Sequence, residues 1–184
     1  MKLGDLLKSV PIEECCADLE MEIGGVSYDS RKSVAGDLFV AMTGYAADGH
    51  DFIPAAAEKG AVCVLCERAP QADVPWVRVR SARRALAMLG ANWFGHPAEE
   101  MVMIGVTGTN GKTSTTYLLK NILEEAAGAT VGLIGTNQNM IGSRVIETER
   151  TTPESFELQK LFRAMRNSGC THVVMEVSSH ALYL

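Results

Sequence analysis

The stretch MVMIGVTGTNGKTSTTYLLKNILEEA, residues 101–126, joins a continuous apolar run, a turn with two glycines and an amphipathic segment without interruption. A run as apolar as Met101–Val106 suits a strand covered on both faces, as in parallel sheets whose strands are joined by helices. The segment after the turn places Leu118, Leu119, Ile122, Leu123 and Ala126 on one side of a helix. Strand, glycine turn and helix in this order point to an α/β fold that can hold phosphate at the start of a helix. Gly108 and Gly111 admit backbone conformations that other residues resist, so the N–H groups of Gly108, Thr109, Asn110 and Gly111 can turn towards one anion. Lys112 adds a full positive charge, Ser114 continues the first turn, and Thr113 has a hydroxyl where such loops hold Mg2+. The strict phosphate-loop pattern asks for Gly where Val106 stands, so the match is to a variant of it. The plain alternative is a glycine turn leading into an ordinary helix. Gly-Lys-Thr at the turn, between a buried-type strand and a helix, argues against that.

Downstream, TVGLIGT reads as a further strand, a polar stretch runs to Arg150, and a helix is expected from Pro153 with Thr152 as its N-cap. Leu158, Leu161, Phe162 and Met165 mark the face of that helix, and Gly169 ends it. THVVMEV is another buried strand, and its Glu176 is the candidate metal ligand, since neighbouring parallel strands deliver carboxylates to a nucleotide-bound magnesium. Ser178 and His180 follow at the carboxyl end of that strand, where ligands of open α/β sheets gather. A strand-end glutamate facing water, and a histidine with a structural role, are the readings these two residues would carry without the glycine loop.

Upstream, short apolar runs again alternate with helical patterns: GVSYDS, DLFVAM, a helix from Phe52 to Lys59, the strand AVCVLC and a strand around Val77. In SARRALAMLGANWF, Ala82, Ala85, Leu86, Leu89 and Trp93 share a helical face, with Ser81 as N-cap. Gly95 and Pro97 stop that helix, which divides the chain into residues 1–97 and 98–184. The expected fold class is therefore α/β: a small N-terminal α/β domain followed by the first part of a parallel-sheet, phosphate-loop domain.

A formal charge of −5 and the absence of long Lys/Arg runs argue against a nucleic-acid partner. No apolar run approaches the ~18–20 residues that span a bilayer, and Asp5 and Lys8 interrupt what a signal peptide would need, so no membrane role and a cytoplasmic location are expected. Five cysteines suggest no bridge framework, and Cys63 and Cys66, although spaced C-x-x-C, lie inside an apolar strand and read as small hydrophobes.

Thr107–Thr113, TGTNGKT, resembles the loop of the Mur ligases of bacterial peptidoglycan synthesis, in which Val106 is no anomaly. YDSRKSVAGDLFVAMTGYAADGHDFIPAA at residues 28–56 is similar to the UDP-binding domain of that family, and ERTTPES and MEVSSHAL resemble its branch that adds the third peptide residue. The resemblance implies an ATP-dependent ligase with Mg2+ and ATP as cofactors. It would join a diamino acid, meso-diaminopimelate or L-lysine, to UDP-N-acetylmuramoyl-L-alanyl-D-glutamate through an acyl phosphate. It further implies that Lys112 and Glu176 are catalytic, that Gly108–Ser114 bind ATP, and that Thr113 and Glu176 hold the metal. Tyr28, Ser30, Tyr45, Ala46 and Ala47 would contact the UDP-sugar, and Thr151, Thr152 and Ser178 the muramoyl-peptide, with Arg150 standing where some members have Asn. The family has three domains, so the chain is expected to be a fragment ending in the central one, and a monomer. Two other readings accompany this one: an inert nucleotide- and UDP-sugar-binding module, and another Mur ligase such as the dipeptide-adding enzyme.

Overall fold

Two five-stranded sheets organise the chain, each built around parallel strands. The structure, a computed structural model, describes residues 1–44, 47–146 and 153–178. The chain divides into two compact units, Met1–Trp93 and Phe94–Leu184.

The first unit opens with α1 (Leu3–Leu6), β1 (Ile12–Cys15), β2 (Gly25–Ser27) and β3 (Asp37–Val40). A 3-10 turn, Gly49–Phe52, then leads into α2 (Ile53–Glu58), followed by β4 (Cys63–Cys66), β5 (Trp76–Val79) and α3 (Ala82–Phe94). Its strand order is β1-β5-β4-β3-β2, with β2, β3, β4 and β5 parallel and β1 antiparallel at the edge. The central strands β3 and β4 are buried at every residue, as expected of strands with parallel neighbours on both sides. Fully burying side chains such as Phe39 and Leu65 stabilises the unit by ~1.5–3 kcal/mol each. α3 buries Ala82, Ala85, Leu86 and Leu89, and the Ser81 hydroxyl accepts a hydrogen bond from the Arg84 N–H at 3.3 Å, as the N-cap reading requires. Cys63 and Cys66 are buried, and burial pushes their thiols up to about 12 and about 11. β1 carries no apolar alternation. All four of its residues are exposed, and it is tied to β5 by Arg78, which bridges Glu13 and Glu14.

The second unit contains β6 (Val102–Val106), α4 (Lys112–Ala127), β7 (Val131–Ile134), β8 (Asn139–Ile141), β9 (Arg144–Ile146), α5 (Ser155–Asn167) and β10 (His172–Glu176). The order is β6-β10-β7-β8-β9, so the last strand in sequence inserts between β6 and β7 and runs parallel to both. Glu176 thereby lies beside Val106, and Met175 beside Ile134, which brings the carboxyl ends of three parallel strands to one edge. α5 packs on this sheet through Phe162 and Met165, with Leu158 and Leu161 alongside. The approach is close: a Cβ at Gly132 of β7 would stand 2.5 Å from the Met165 sulfur.

Four expectations are corrected here. β6 is covered less fully than expected: Met103 packs on the α5 side and Ile104 and Val106 on the α4 side, but it is an edge strand with Val102 exposed and no residue fully buried. α4 turns only part of the expected side inward: Leu119 and Leu123 pack against the sheet, but Leu118 is 61% and Ile122 58% exposed, Ala126 is exposed, and the buried residues are Thr116 and Lys120. Lys120 is accommodated by donating to Glu124 at 2.6 Å, and Thr116 by donating to the Thr113 carbonyl at 2.8 Å. α5 starts at Ser155 with an extended Glu154 as its N-cap, two residues beyond the Pro153 start expected, and Thr152 lies outside the described residues. The stretch read as merely polar contains the antiparallel β8–β9 pair, whose strands of three residues are too short to show a period.

Candidate phosphate and metal site at the carboxyl ends of β6, β10 and β7

The loop after β6 enters α4 through Gly111, which has φ +77° and ψ 0°. Nothing would crowd a Cβ there, so it is the left-handed backbone that calls for glycine. α4 begins at the next residue, and its unpaired N–H groups open towards the loop, which is exposed from Thr107 to Gly111. The Lys112 ammonium folds back and donates to the Gly108 carbonyl at 2.8 Å, while Ser114 is exposed on the first turn.

Glu176 is the opposite kind of group. It is 4% exposed, and three donors hold its carboxylate. The Thr113 hydroxyl donates to Oε2 at 3.1 Å, the Thr136 hydroxyl to Oε2 at 3.1 Å, and the Thr136 N–H to Oε1 at 2.9 Å. All three are neutral, and no ion pair of Glu176 occurs among the described residues, so a buried negative charge is hydrogen-bonded but not balanced. That is what a cation site needs. Hydroxyl and carboxylate oxygens suit a hard ion such as Mg2+, which keeps waters and phosphate oxygens as its other ligands and needs no cage of several acids. Among the described residues no group of three or more His, Cys, Asp or Glu could hold a metal.

Thr113 and Glu176, chosen separately from sequence, are thus in contact. Ser178 lies two residues beyond Glu176 at the carboxyl end of β10, half-buried, and Val177 donates to the Val106 carbonyl at 2.9 Å. Arg150, Thr151, Thr152 and His180 lie outside the described residues, as do Tyr45 and Ala46. Thr136 was missed, together with Gly135. Their signal was a small Gly-Thr pair closing an apolar run, the layout already used to choose Glu176.

In the first unit, Tyr28 and Ser30 follow β2 and Ala47 lies in the loop after β3, so these residues leave the carboxyl edge of two paired parallel strands. The acids here are paired. Two bonds from Arg31 and one from its N–H hold Asp29 at about 2, well below the usual carboxylate range. Asp48 accepts the His50 N–H at 3.0 Å, bonds to the His50 ring at 2.6 Å and pairs with Arg68, and its carboxyl also falls to about 2. The other ring nitrogen of His50 accepts the Glu67 N–H at 3.0 Å, and Glu67 bonds to Thr43 and to the Ala82 N–H at the start of α3. A hollow of about 370 Å³ opens beside this network, walled by His50, Ile53, Pro54, Arg68 and Pro70.

No helix among the described residues is long and apolar enough to cross a membrane. The family described as Mur ligase middle domain matches residues 106–184, and the one described as Mur ligase family, catalytic domain, matches residues 22–94. The chain is 48% identical over 186 residues to UDP-N-acetylmuramoyl-L-alanyl-D-glutamate--2,6-diaminopimelate ligase 1 of Clostridium acetobutylicum, covering 100% of this chain and 38% of that protein. The corresponding ligase of Bacillus licheniformis is 45% identical over 183 residues, again with 100% of this chain and 37% of the relative. A solved UDP-N-acetylmuramoyl-L-alanyl-D-glutamate--2,6-diaminopimelate ligase superposes with TM-score 0.80 at 26% identity, covering 100% of this chain and 37% of that one. The MurF ligase of Thermotoga maritima, solved in complex with ADP, superposes with TM-score 0.52 at 28% identity over 84% of this chain and 32% of its own. The chain spans well under half the length of these relatives. With both of its units matched by Mur ligase domains, the chain belongs to the Mur ligase family.

Proposed function

We propose that this chain supplies the UDP-sugar-binding part and the phosphate-loop part of a ligase that adds a diamino acid to UDP-N-acetylmuramoyl-L-alanyl-D-glutamate in peptidoglycan precursor synthesis. The observation that carries the reading is the buried, unbalanced Glu176 carboxylate in contact with the Thr113 hydroxyl at the start of α4. The names of the relatives favour meso-diaminopimelate over L-lysine.

A carboxylate does not condense with an amine in water, because its leaving group would be oxide. Moving the γ-phosphoryl of ATP to the D-glutamyl carboxylate breaks the β–γ phosphoanhydride, forms an acyl phosphate and releases ADP. Attack by the amine then forms the amide, with phosphate leaving and one proton lost. The loop amides and the α4 N-terminus bind the phosphates, and Lys112 leaves the Gly108 carbonyl to meet the charge on the transferring group. Bound Mg2+ would supply charge neutralisation between the phosphates, held by Thr113 and Glu176. Ser178, with Thr151 and Thr152, orients the acceptor carboxylate, and Tyr28, Ser30 and the segment Tyr45–Ala47 hold the UDP end. The domains are assigned as 1–97 for UDP-sugar and 98–184 for nucleotide. We assign the protein to the cytoplasm, where ATP and the UDP-linked precursor are, and take it to act as a monomer.

The test is amide formation by the complete enzyme containing this chain, given ATP, UDP-N-acetylmuramoyl-L-alanyl-D-glutamate and meso-diaminopimelate or L-lysine. Phosphate release coupled to the diaminopimelate product supports the reading. No diamino acid product, but coupling of D-alanyl-D-alanine in a parallel assay supplied with that dipeptide and the UDP-linked precursor already carrying the third residue, would transfer the chain to the dipeptide-adding branch. The 184 residues alone need only bind. UDP-sugar and ATP binding without amide formation by them is what the reading requires.

A further inference from the structure

The geometry points to Thr136, with Gly135 before it, as the positioning device that aims Glu176 at the metal; the inference rests on the nucleotide and Mg2+ reading above.

Glu176 leaves the end of β10 with several rotatable bonds, and a carboxylate at a strand end has no intrinsic reason to face the phosphate loop. Two of its three hydrogen bonds come from one residue of the neighbouring strand's extension. The Thr136 N–H holds Oε1 at 2.9 Å and the Thr136 hydroxyl holds Oε2 at 3.1 Å, so both oxygens are gripped and the plane of the group is set. The remaining bond, from Thr113 to Oε2, joins the two groups assigned to the metal. An ion bound by both would replace that contact and leave the Thr136 grip in place. Thr136 has no part in the phosphate loop and is one position beyond Gly135, which follows directly on β7 (Val131–Ile134).

Gly135 supplies the room. A Cβ there would stand 2.5 Å from Glu176 Oε1, closer than atoms tolerate, with the carboxyl carbon at an ordinary contact of 3.4 Å. Gly135 is not among the residues with positive φ, so its backbone accepts alanine. The consequence of a side chain at this position is displacement of the carboxylate, which can swing away without disturbing the strand. Orientation by groups that do not themselves touch the metal is a general feature of metal sites, and losing one typically costs ~10–100-fold in affinity. The backbone N–H of Thr136 survives substitution, so removing the hydroxyl alone is expected at the lower end of that range.

The experiment is binding of a non-hydrolysable ATP analogue to the 184-residue chain, titrated with Mg2+, for the wild type and for Thr136→Val, Thr136→Ser, Gly135→Ala and Glu176→Gln. Thr136→Val keeps the shape and removes the donor; Gly135→Ala keeps the donor and takes the space. Both are expected to raise the Mg2+ concentration for half-maximal enhancement about tenfold, with metal-free affinity unchanged and Thr136→Ser close to wild type. Equal Mg2+ dependence in Thr136→Val, Gly135→Ala and wild type, while Glu176→Gln loses it, overturns the positioning role and leaves the metal reading standing. A wild type whose analogue binding does not respond to Mg2+ overturns both. If Thr136→Val does not fold, Gly135→Ala against Thr136→Ser decides by the same criterion.

Discussion

Both units carry acids where parallel strands end, yet they treat those acids in opposite ways. After β2 and β3, Asp29 and Asp48 are partly exposed and each is answered by an arginine, Arg31 and Arg68. At the end of β10, Glu176 is buried and answered by hydroxyls and one amide, with no cationic partner among the described residues. The first arrangement is complete in itself and serves to fold a loop. The second leaves the buried acid with neutral partners, an arrangement that a cation would complete. An acid beside a strand end is therefore informative about ligands only when its charge is left unbalanced; Asp29 and Asp48, whose carboxyls are held low, are already answered by arginine.

The largest effect expected is on chemistry. In the complete enzyme, Lys112→Ala is expected to lower turnover on the order of 100- to 1,000-fold, the usual result of removing one donor aimed at developing charge. UDP-sugar binding should be untouched, and near-normal turnover would remove Lys112 from the site. Next is Glu176→Gln set against Asp29→Asn. The first should weaken Mg2+-dependent nucleotide binding by at least roughly 10-fold, and the second should leave it unchanged. Equal losses in the two variants would erase the distinction drawn between the acids.

Gly111→Ala should cost about 1 kcal/mol in chemical denaturation, because φ +77° suits glycine while the space beside it is open. An unchanged midpoint would mean the loop readily adopts another backbone. The smallest effect concerns Asp48. Its pKa is depressed from 3.8 to about 2, so its contribution to stability is complete above the unfolded value and fades as pH falls from about 4 towards 2. Carboxyl NMR should show Asp48 titrating near 2 in the folded chain. A midpoint close to 3.8 would show that His50 and Arg68 do not hold it in solution.

The strand, loop and helix around Lys112 were legible because each local signal agreed with the next. So was the contact partner Glu176, since an apolar run ending in one acid has few uses. α4 was misread for a physical reason. Its leucines suggested one face, but the helix carries Thr113 over Glu176 and turns Thr116, Tyr117, Lys120 and Leu123 inward with Leu119 beside them, leaving Leu118 and Ile122 outside. The chemistry of the first turn sets the rotation of the whole helix. Thr136 escaped because its role depends on β10 inserting between β6 and β7, a long-range pairing that no local pattern encodes. β1 escaped because an exposed edge strand rich in glutamate has no apolar alternation to find.

The central claim is that Thr113 and Glu176 form the metal end of a nucleotide site. It is tested most directly by a crystal structure of the chain with ADP and Mn2+ in place of Mg2+, with the metal located by its anomalous signal. The account predicts one Mn2+ within coordination distance of Thr113 Oγ1 and a Glu176 oxygen, and in contact with the ADP phosphates in the loop. ADP bound in the loop with the metal elsewhere, and Glu176 still closed on Thr113 and Thr136, would contradict it.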